Sequence, residues 1–161
     1  MAVTLILGGA RSGKSRHAEG LAGGGVLIAT AQAHDDEMAA RIARHRADRA
    51  AGWEVREVPL DLGGALGAVT EDRPVVIDCL TLWLSNLMLA GRADEADALP
   101  EALAACRADA ICVSNEVGQG IVPATPVGRA FRDAQGRLNQ RVAAVADRVV
   151  LMVAGIPMVV K

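Results

Sequence analysis

Aromatic residues are scarce in this chain of 161 residues: there is no tyrosine, one phenylalanine (Phe131) and two tryptophans, Trp53 and Trp83. A row of stacking rings for nucleobases is therefore excluded, and any base must be held by backbone, aliphatic and polar groups. An excess of one charge sign is also missing. Seventeen Lys and Arg stand against 19 Asp and Glu, a formal net charge of -2, so the basic footprint that nucleic acid requires is absent and no such partner is expected. No apolar run is long enough for a membrane span. The longest, Val149 to Val160, is interrupted by Pro157 and falls short of the roughly 20 residues a spanning helix needs; it reads as a buried strand and a turn. Met1 to Leu7 lead straight into a glycine-rich loop without the charged flank, apolar stretch and cleavage site of an export signal, so the cytoplasm is the expected compartment. The cysteines, Cys79, Cys106 and Cys112, are odd in number and form neither a CxxC pair nor a metal-binding spacing with histidine. They are expected to be reduced structural thiols.

What the chain does have is short Val- and Ile-rich runs alternating with helical stretches. The runs are Val3 to Leu7, Val26 to Thr30, Val75 to Cys79, Ile111 to Ser114 and Val149 to Val153. Trp53 to Val58 offers a sixth, less buried strand, and Met158 to Lys161 an edge strand after Pro157. Helices are expected near Lys14 to Ala22, Asp35 to Ala50, Leu80 to Leu89, Ala93 to Arg107 and Arg129 to Ala146. This alternation predicts a three-layer α/β domain, a mainly parallel sheet with helices on both faces, spanning residues 1–161 as a single unit. Gly23 to Gly25 read as a tight connection, Gly63, Gly64 and Gly67 as residues that loosen the segment after Asp61, and Gly91 to Asp97 as an exposed loop.

The strongest chemical signal is Gly8-Gly9-Ala10-Arg11-Ser12-Gly13-Lys14-Ser15, a match to G-x-x-x-x-G-K-[ST] directly after an apolar strand and directly before a helix. Small residues let successive backbone N–H groups converge on phosphate oxygens, and the helix N-terminus adds positive potential. Lys14 is expected at the β and γ phosphates of a nucleoside triphosphate and Ser15 at Mg2+. The strand Val75 to Ile77 ends in Asp78, which is either a second acidic group for the metal or a turn and capping residue.

The loop does not choose the reaction. Asn-Lys-x-Asp, by which signalling GTPases read guanine, has no counterpart, since the nearest segment reads Ser114-Asn115-Glu116-Val117-Gly118. A plain small-molecule kinase and a slowly hydrolysing regulatory module both remain rivals. Met38, Ile42, His45 and Arg49 fall at helical spacing, with Arg41 one turn before His45. His45 is thus either a partly buried packing residue or a nucleophile able to attack an α-phosphate and release pyrophosphate. His34, near the end of the second strand, is the alternative nucleophile, and His17 reads as a packing or surface residue. Asn115 and Glu116 either line an acceptor site or form an ordinary turn.

Taken together, these blocks resemble the bifunctional adenosylcobinamide kinase / adenosylcobinamide-phosphate guanylyltransferase family of cobalamin biosynthesis. The likeness rests on Gly8 to Arg16 with Ala18-Glu19, Ala29-Thr30-Ala31-Gln32, and Asp36-Glu37-Met38 running through Arg41-Ile42 to His45 and Arg49. It continues in Asp78-Cys79-Leu80-Thr81 with Asn86-Leu87, in Ser114 through Pro123, and in Phe131-Arg132-Asp133 with Gly136-Arg137 and Asn139-Gln140. The resemblance implies a P-loop NTPase-type fold and two activities: phosphorylation of the aminopropanol hydroxyl of adenosylcobinamide from ATP or GTP, then transfer of GMP from GTP to that phosphate through a guanylylated histidine. It implies that His45 is that histidine, that Thr30, Ala31, Gln32, Arg46, Ala47, Asp48, Arg49, Glu57 and Asp78 contact nucleotide beside the phosphate loop, and that the subunits form a homotrimer.

Overall fold

The computed structural model describes residues 1–32, 52–70 and 72–161. The expected helix Asp35 to Ala50, with His34, His45, Arg46, Ala47, Asp48 and Arg49, lies outside them. The described strands are β1 (Val3–Gly8), β2 (Gly25–Ala29), β3 (Trp53–Glu57), β4 (Val75–Asp78), β5 (Ala110–Val113), β6 (Arg148–Val153) and β7 (Ile156–Val159). They form one sheet in the order β3-β2-β4-β5-β1-β6-β7. All neighbouring pairs are parallel except β6 with β7. The helices are α1 (Lys14–Ala22), α2 (Leu62–Gly67), α3 (Leu80–Leu89), α4 (Leu99–Ala105) and α5 (Pro126–Val145), with a 3-10 turn at Ala93–Ala98.

The strands are apolar on both sides because both faces of the sheet are covered. Alternate residues feed two separate cores. Leu5, Val26, Ile28, Val75, Ile77 and Cys112 pack towards α2, α3, α4 and α5, whereas Ile6, Leu27, Val76, Ile111, Val113 and Val150 pack around Ala18 of α1. The outer strands are the exceptions. β3 is half exposed and β7 fully exposed along its length, as edge positions allow.

Five expectations change in detail. The glycine-bearing segment after Asp61 is helical: the Asp61 carboxylate accepts the Gly64 N–H at 2.9 Å as an N-cap, and Leu62 and Leu66, one turn apart, are buried. The helix expected over Ala93 to Arg107 is split, because Pro100 lacks an N–H and sits in the first turn of α4. The preceding residues form the 3-10 turn with Ala96 buried, so Gly91 to Asp97 is not wholly an exposed loop. The last strand starts at Ile156 and contains Pro157, which the outer strand tolerates. Finally, α5 starts three residues earlier than Arg129, because Thr125 caps the Gly128 N–H at 3.1 Å and Pro126 pre-sets the first turn.

Candidate active site

Parallel strands bring their C-terminal ends to one edge of the sheet, where ligands of open α/β folds bind. There, β1 runs into the loop Gly8 to Gly13 and α1 begins at Lys14. Gly8 is required by close approach: a Cβ on it would lie 2.7 Å from Ser12 Oγ and 2.8 Å from the Met152 carbonyl oxygen. Arg11 and Gly13 both have positive φ, 56° and 92°, so the backbone curls into a concave path with its N–H groups available to an anion. Gly9, Ala10, Arg11 and Gly13 are exposed and Ser12 half-buried. The turn between β6 and β7 supports the loop, as Gly155 N–H donates to the Ser12 carbonyl at 3.1 Å. The sequence carries no local signal for that contact, which depends on β6 lying beside β1.

Lys14 is 8% exposed. Its ammonium group folds back over the loop and donates to the Gly9 carbonyl oxygen at 2.5 Å. Ser15, next on the first turn of α1, donates its hydroxyl to Asp78 Oδ1 at 3.2 Å. Asp78 is half-buried at the end of β4. It is not the N-cap of α3, a position held by Cys79, so its carboxylate is left to the serine. A serine hydroxyl and a carboxylate are hard oxygen donors, which fit a magnesium ion completed by phosphate oxygens and water. Among the described residues no cluster of three or more His, Cys, Asp or Glu could hold a metal without such help.

Thr30 is fully buried and fastens the end of β2 to that of β4. Its hydroxyl donates to the Cys79 carbonyl at 2.7 Å and accepts the Cys79 N–H at 2.9 Å, and its own N–H reaches the Asp78 carbonyl at 3.1 Å. Asn86 of α3 donates to the Thr30 carbonyl at 2.8 Å and to the Pro59 carbonyl at 3.0 Å. Ala31 and Gln32 follow at the same edge, half-buried and exposed, and Glu57 is exposed at the end of β3. Thr30's side chain is thus committed to the scaffold rather than turned to solvent.

A second polar group surrounds the end of β5. Ser114, Gln135 and Asn139 are buried and hydrogen-bonded to one another, and Asn139 reaches Asn115 and Glu116. Asn115 and Glu116 stand out in the sequence and Gln135 does not; its available signal is the helical i, i+4 spacing of Gln135 and Asn139. Burial raises the thiols of Cys79 to about 11 and Cys112 to about 12, Asp78 adding to the effect at Cys79. All three cysteines are free and buried.

A strand, glycine loop and helix with Lys14, Ser15 and a strand-end aspartate at the carboxyl edge of a parallel sheet define a P-loop nucleotide-binding fold. Comparison with known proteins narrows this class. The family model described as cobinamide kinase / cobinamide phosphate guanyltransferase matches residues 4–160. The chain is 48% identical to the bifunctional adenosylcobalamin biosynthesis protein CobP of Pseudomonas aeruginosa, covering 98% of this chain and 96% of that one. It is 43% identical to the bifunctional adenosylcobalamin biosynthesis protein CobU of Salmonella typhimurium and 40% identical to that of Escherichia coli, with 98% of each chain covered. The chain therefore belongs to the cobinamide kinase / cobinamide phosphate guanyltransferase family, and is an enzyme of cobalamin biosynthesis.

Proposed function

We propose that residues 1–161 act as one domain that first phosphorylates the side-chain hydroxyl of adenosylcobinamide with ATP or GTP and then transfers GMP from GTP to the new phosphate. The observation that carries this reading is the convergence of Lys14, Ser15 and Asp78 at the phosphate loop, in a chain matched by the family over nearly its full length. In the first step Gly8 to Gly13 supply backbone donors, and Lys14 leaves the Gly9 carbonyl for the β and γ phosphates. Ser15 and Asp78 would hold Mg2+, which would supply charge neutralisation on the phosphates. Thr30, Ala31, Gln32 and Glu57 border the nucleotide from the β2 and β3 side, with Arg46, Ala47, Asp48 and Arg49 contributed by the segment outside the described residues.

In the second step a His45 nitrogen forms a bond to the α-phosphorus of GTP as the bond from that phosphorus to the α–β bridging oxygen breaks, and pyrophosphate leaves. An oxygen of the corrinoid phosphate then bonds to the same phosphorus and the phosphorus–nitrogen bond breaks. Support for His45 comes from its position in the family-like block from Asp36 to Arg49. We further propose a homotrimer working in the cytoplasm. Among the described residues no helix is long and apolar enough to cross a membrane.

The test is product analysis. Incubation with adenosylcobinamide, GTP and magnesium should give the corrinoid phosphate first and then its GDP derivative with one pyrophosphate. Accumulation of the phosphate alone would reduce the protein to a simple kinase.

A further inference from the structure

The polar network after β5 is left over once nucleotide and metal have been placed. Asn139 is its hub. Its Oδ1 accepts the Ser114 hydroxyl at 2.7 Å and Gln135 Nε2 at 2.9 Å, while its Nδ2 donates to the Asn115 carbonyl and to Glu116 Oε1, both at 3.1 Å. Gln135 is 0% exposed and its Oε1 has no partner among the described residues. Such an orphaned acceptor costs stability, and apolar residues would avoid the cost, so the network earns its place by what it fixes. It fixes Asn115, whose N–H also donates to the Thr81 hydroxyl at 2.8 Å, and Glu116, whose N–H donates to the Gly8 carbonyl at 3.1 Å.

Glu116 is thus tied by its backbone to the first residue of the phosphate loop and by one carboxylate oxygen to a buried amide. Its other oxygen, Oε2, accepts no hydrogen bond from the described residues. The remaining carboxylates at strand ends are differently placed. Asp78 is engaged with Ser15. Glu57 ends β3, four strands from β1, or roughly 19 Å at about 4.8 Å per strand. Glu116 follows β5, the immediate neighbour of β1.

We propose that Glu116 is the catalytic base of the kinase step, with Asn139 and Gln135 as positioning residues that act through it. The proton of the acceptor hydroxyl passes to the Glu116 carboxylate as the hydroxyl oxygen bonds to the γ-phosphorus and the bond from that phosphorus to the β–γ bridging oxygen breaks. Nucleoside diphosphate leaves, and the proton goes on to solvent. The assignment rests on the reading that the chain phosphorylates a corrinoid hydroxyl. It creates an asymmetry between the two activities, because the acceptor of the second step is a phosphate, already ionised, which has no proton to give up.

The two steps are measured separately on the full chain, phosphorylation with cobinamide and guanylyl transfer with cobinamide phosphate supplied ready-made. Glu116→Gln should lower kcat of phosphorylation by about 100- to 10,000-fold without raising KM for the nucleotide, while guanylyl transfer proceeds near the wild-type rate. Glu116→Asp should recover part of the lost kcat. The acidic limb of the kinase pH profile should disappear in Glu116→Gln and persist, at lower kcat, in Asn139→Ala. A Glu116→Gln protein with wild-type kinase kcat, or one in which both steps fall in parallel, overturns the assignment. A wild-type protein that makes no cobinamide phosphate sinks the functional reading, and the base with it, so the two failures are distinguishable.

Discussion

The Ser15 hydroxyl donates to Asp78 Oδ1 at 3.2 Å across 63 residues of sequence, joining the first turn of α1 to the end of β4. A magnesium ion bound there would draw on both oxygens. Asp78→Asn replaces a carboxylate by an amide, a poorer ligand for a hard cation, so the mutant should need more magnesium for half-maximal phosphorylation. Wild-type magnesium dependence in the mutant would show that the metal is held elsewhere.

Lys14 lies almost wholly buried against the loop it serves. Lys14→Ala removes a charge-assisted contact to the triphosphate, worth roughly 1.5 to 3 kcal/mol, or about 10- to 150-fold in affinity. Calorimetric titration with GTP should show that loss in a folded mutant, and an unchanged affinity would contradict the role.

Thr30 is a test of the scaffold. Thr30→Val keeps the shape but strands the Cys79 N–H that its hydroxyl accepts, while the Cys79 carbonyl keeps the Trp83 N–H at 3.1 Å. Leaving one buried backbone N–H unpaired costs about 1 to 3 kcal/mol. The expected result is a lower denaturant midpoint at unchanged slope; a midpoint equal to wild type would mean that water replaces the hydroxyl.

Strands β1, β2, β4, β5 and β6 were legible because burial on both faces leaves near-continuous Val and Ile runs, and the phosphate loop was legible because its chemistry demands glycines at fixed offsets. Helix α2 was not. Three glycines in Leu62–Gly67 suggested a loose segment, yet a Cβ at Gly64 would meet the capping Asp61 carboxylate at 2.4 Å. That glycine therefore serves the cap, and the Leu62 and Leu66 pair was the clue. The Gln135, Asn139 and Ser114 cluster was hard to read for another reason, since the i, i+4 spacing of Gln135 and Asn139 places them on one helix face but does not say that the face is buried. Polar residues on a helix usually face water, and only the packing of α5 over the end of β5 makes these three interior.

The buried thiols set a pH dependence. Cys79 is pushed up to about 11 and Cys112 to about 12, chiefly by burial, whereas an unfolded thiol titrates at about 8.5. Below that pH both states hold the protons and stability has no slope from these groups. Above it the unfolded chain binds fewer protons than the native one, so stability falls as pH rises towards 11. Urea unfolding at increasing pH should show this fall in wild type and a shallower one in Cys112→Ala. Equal slopes would contradict the assignment.

Guanylyl transfer by this chain depends most on a covalent bond to His45. GTP labelled at the α-phosphate should leave a GMP label on the intact protein, lost in acid and stable in base as a phosphorus–nitrogen bond to imidazole requires, whereas γ-labelled GTP should leave none. His45→Asn should abolish the label and still phosphorylate cobinamide, while His17→Asn and His34→Asn stay labelled. Labelling that survives in His45→Asn and vanishes in His34→Asn would contradict the assignment of the nucleophile, and the absence of any label on the wild-type protein would contradict the guanylylated intermediate itself.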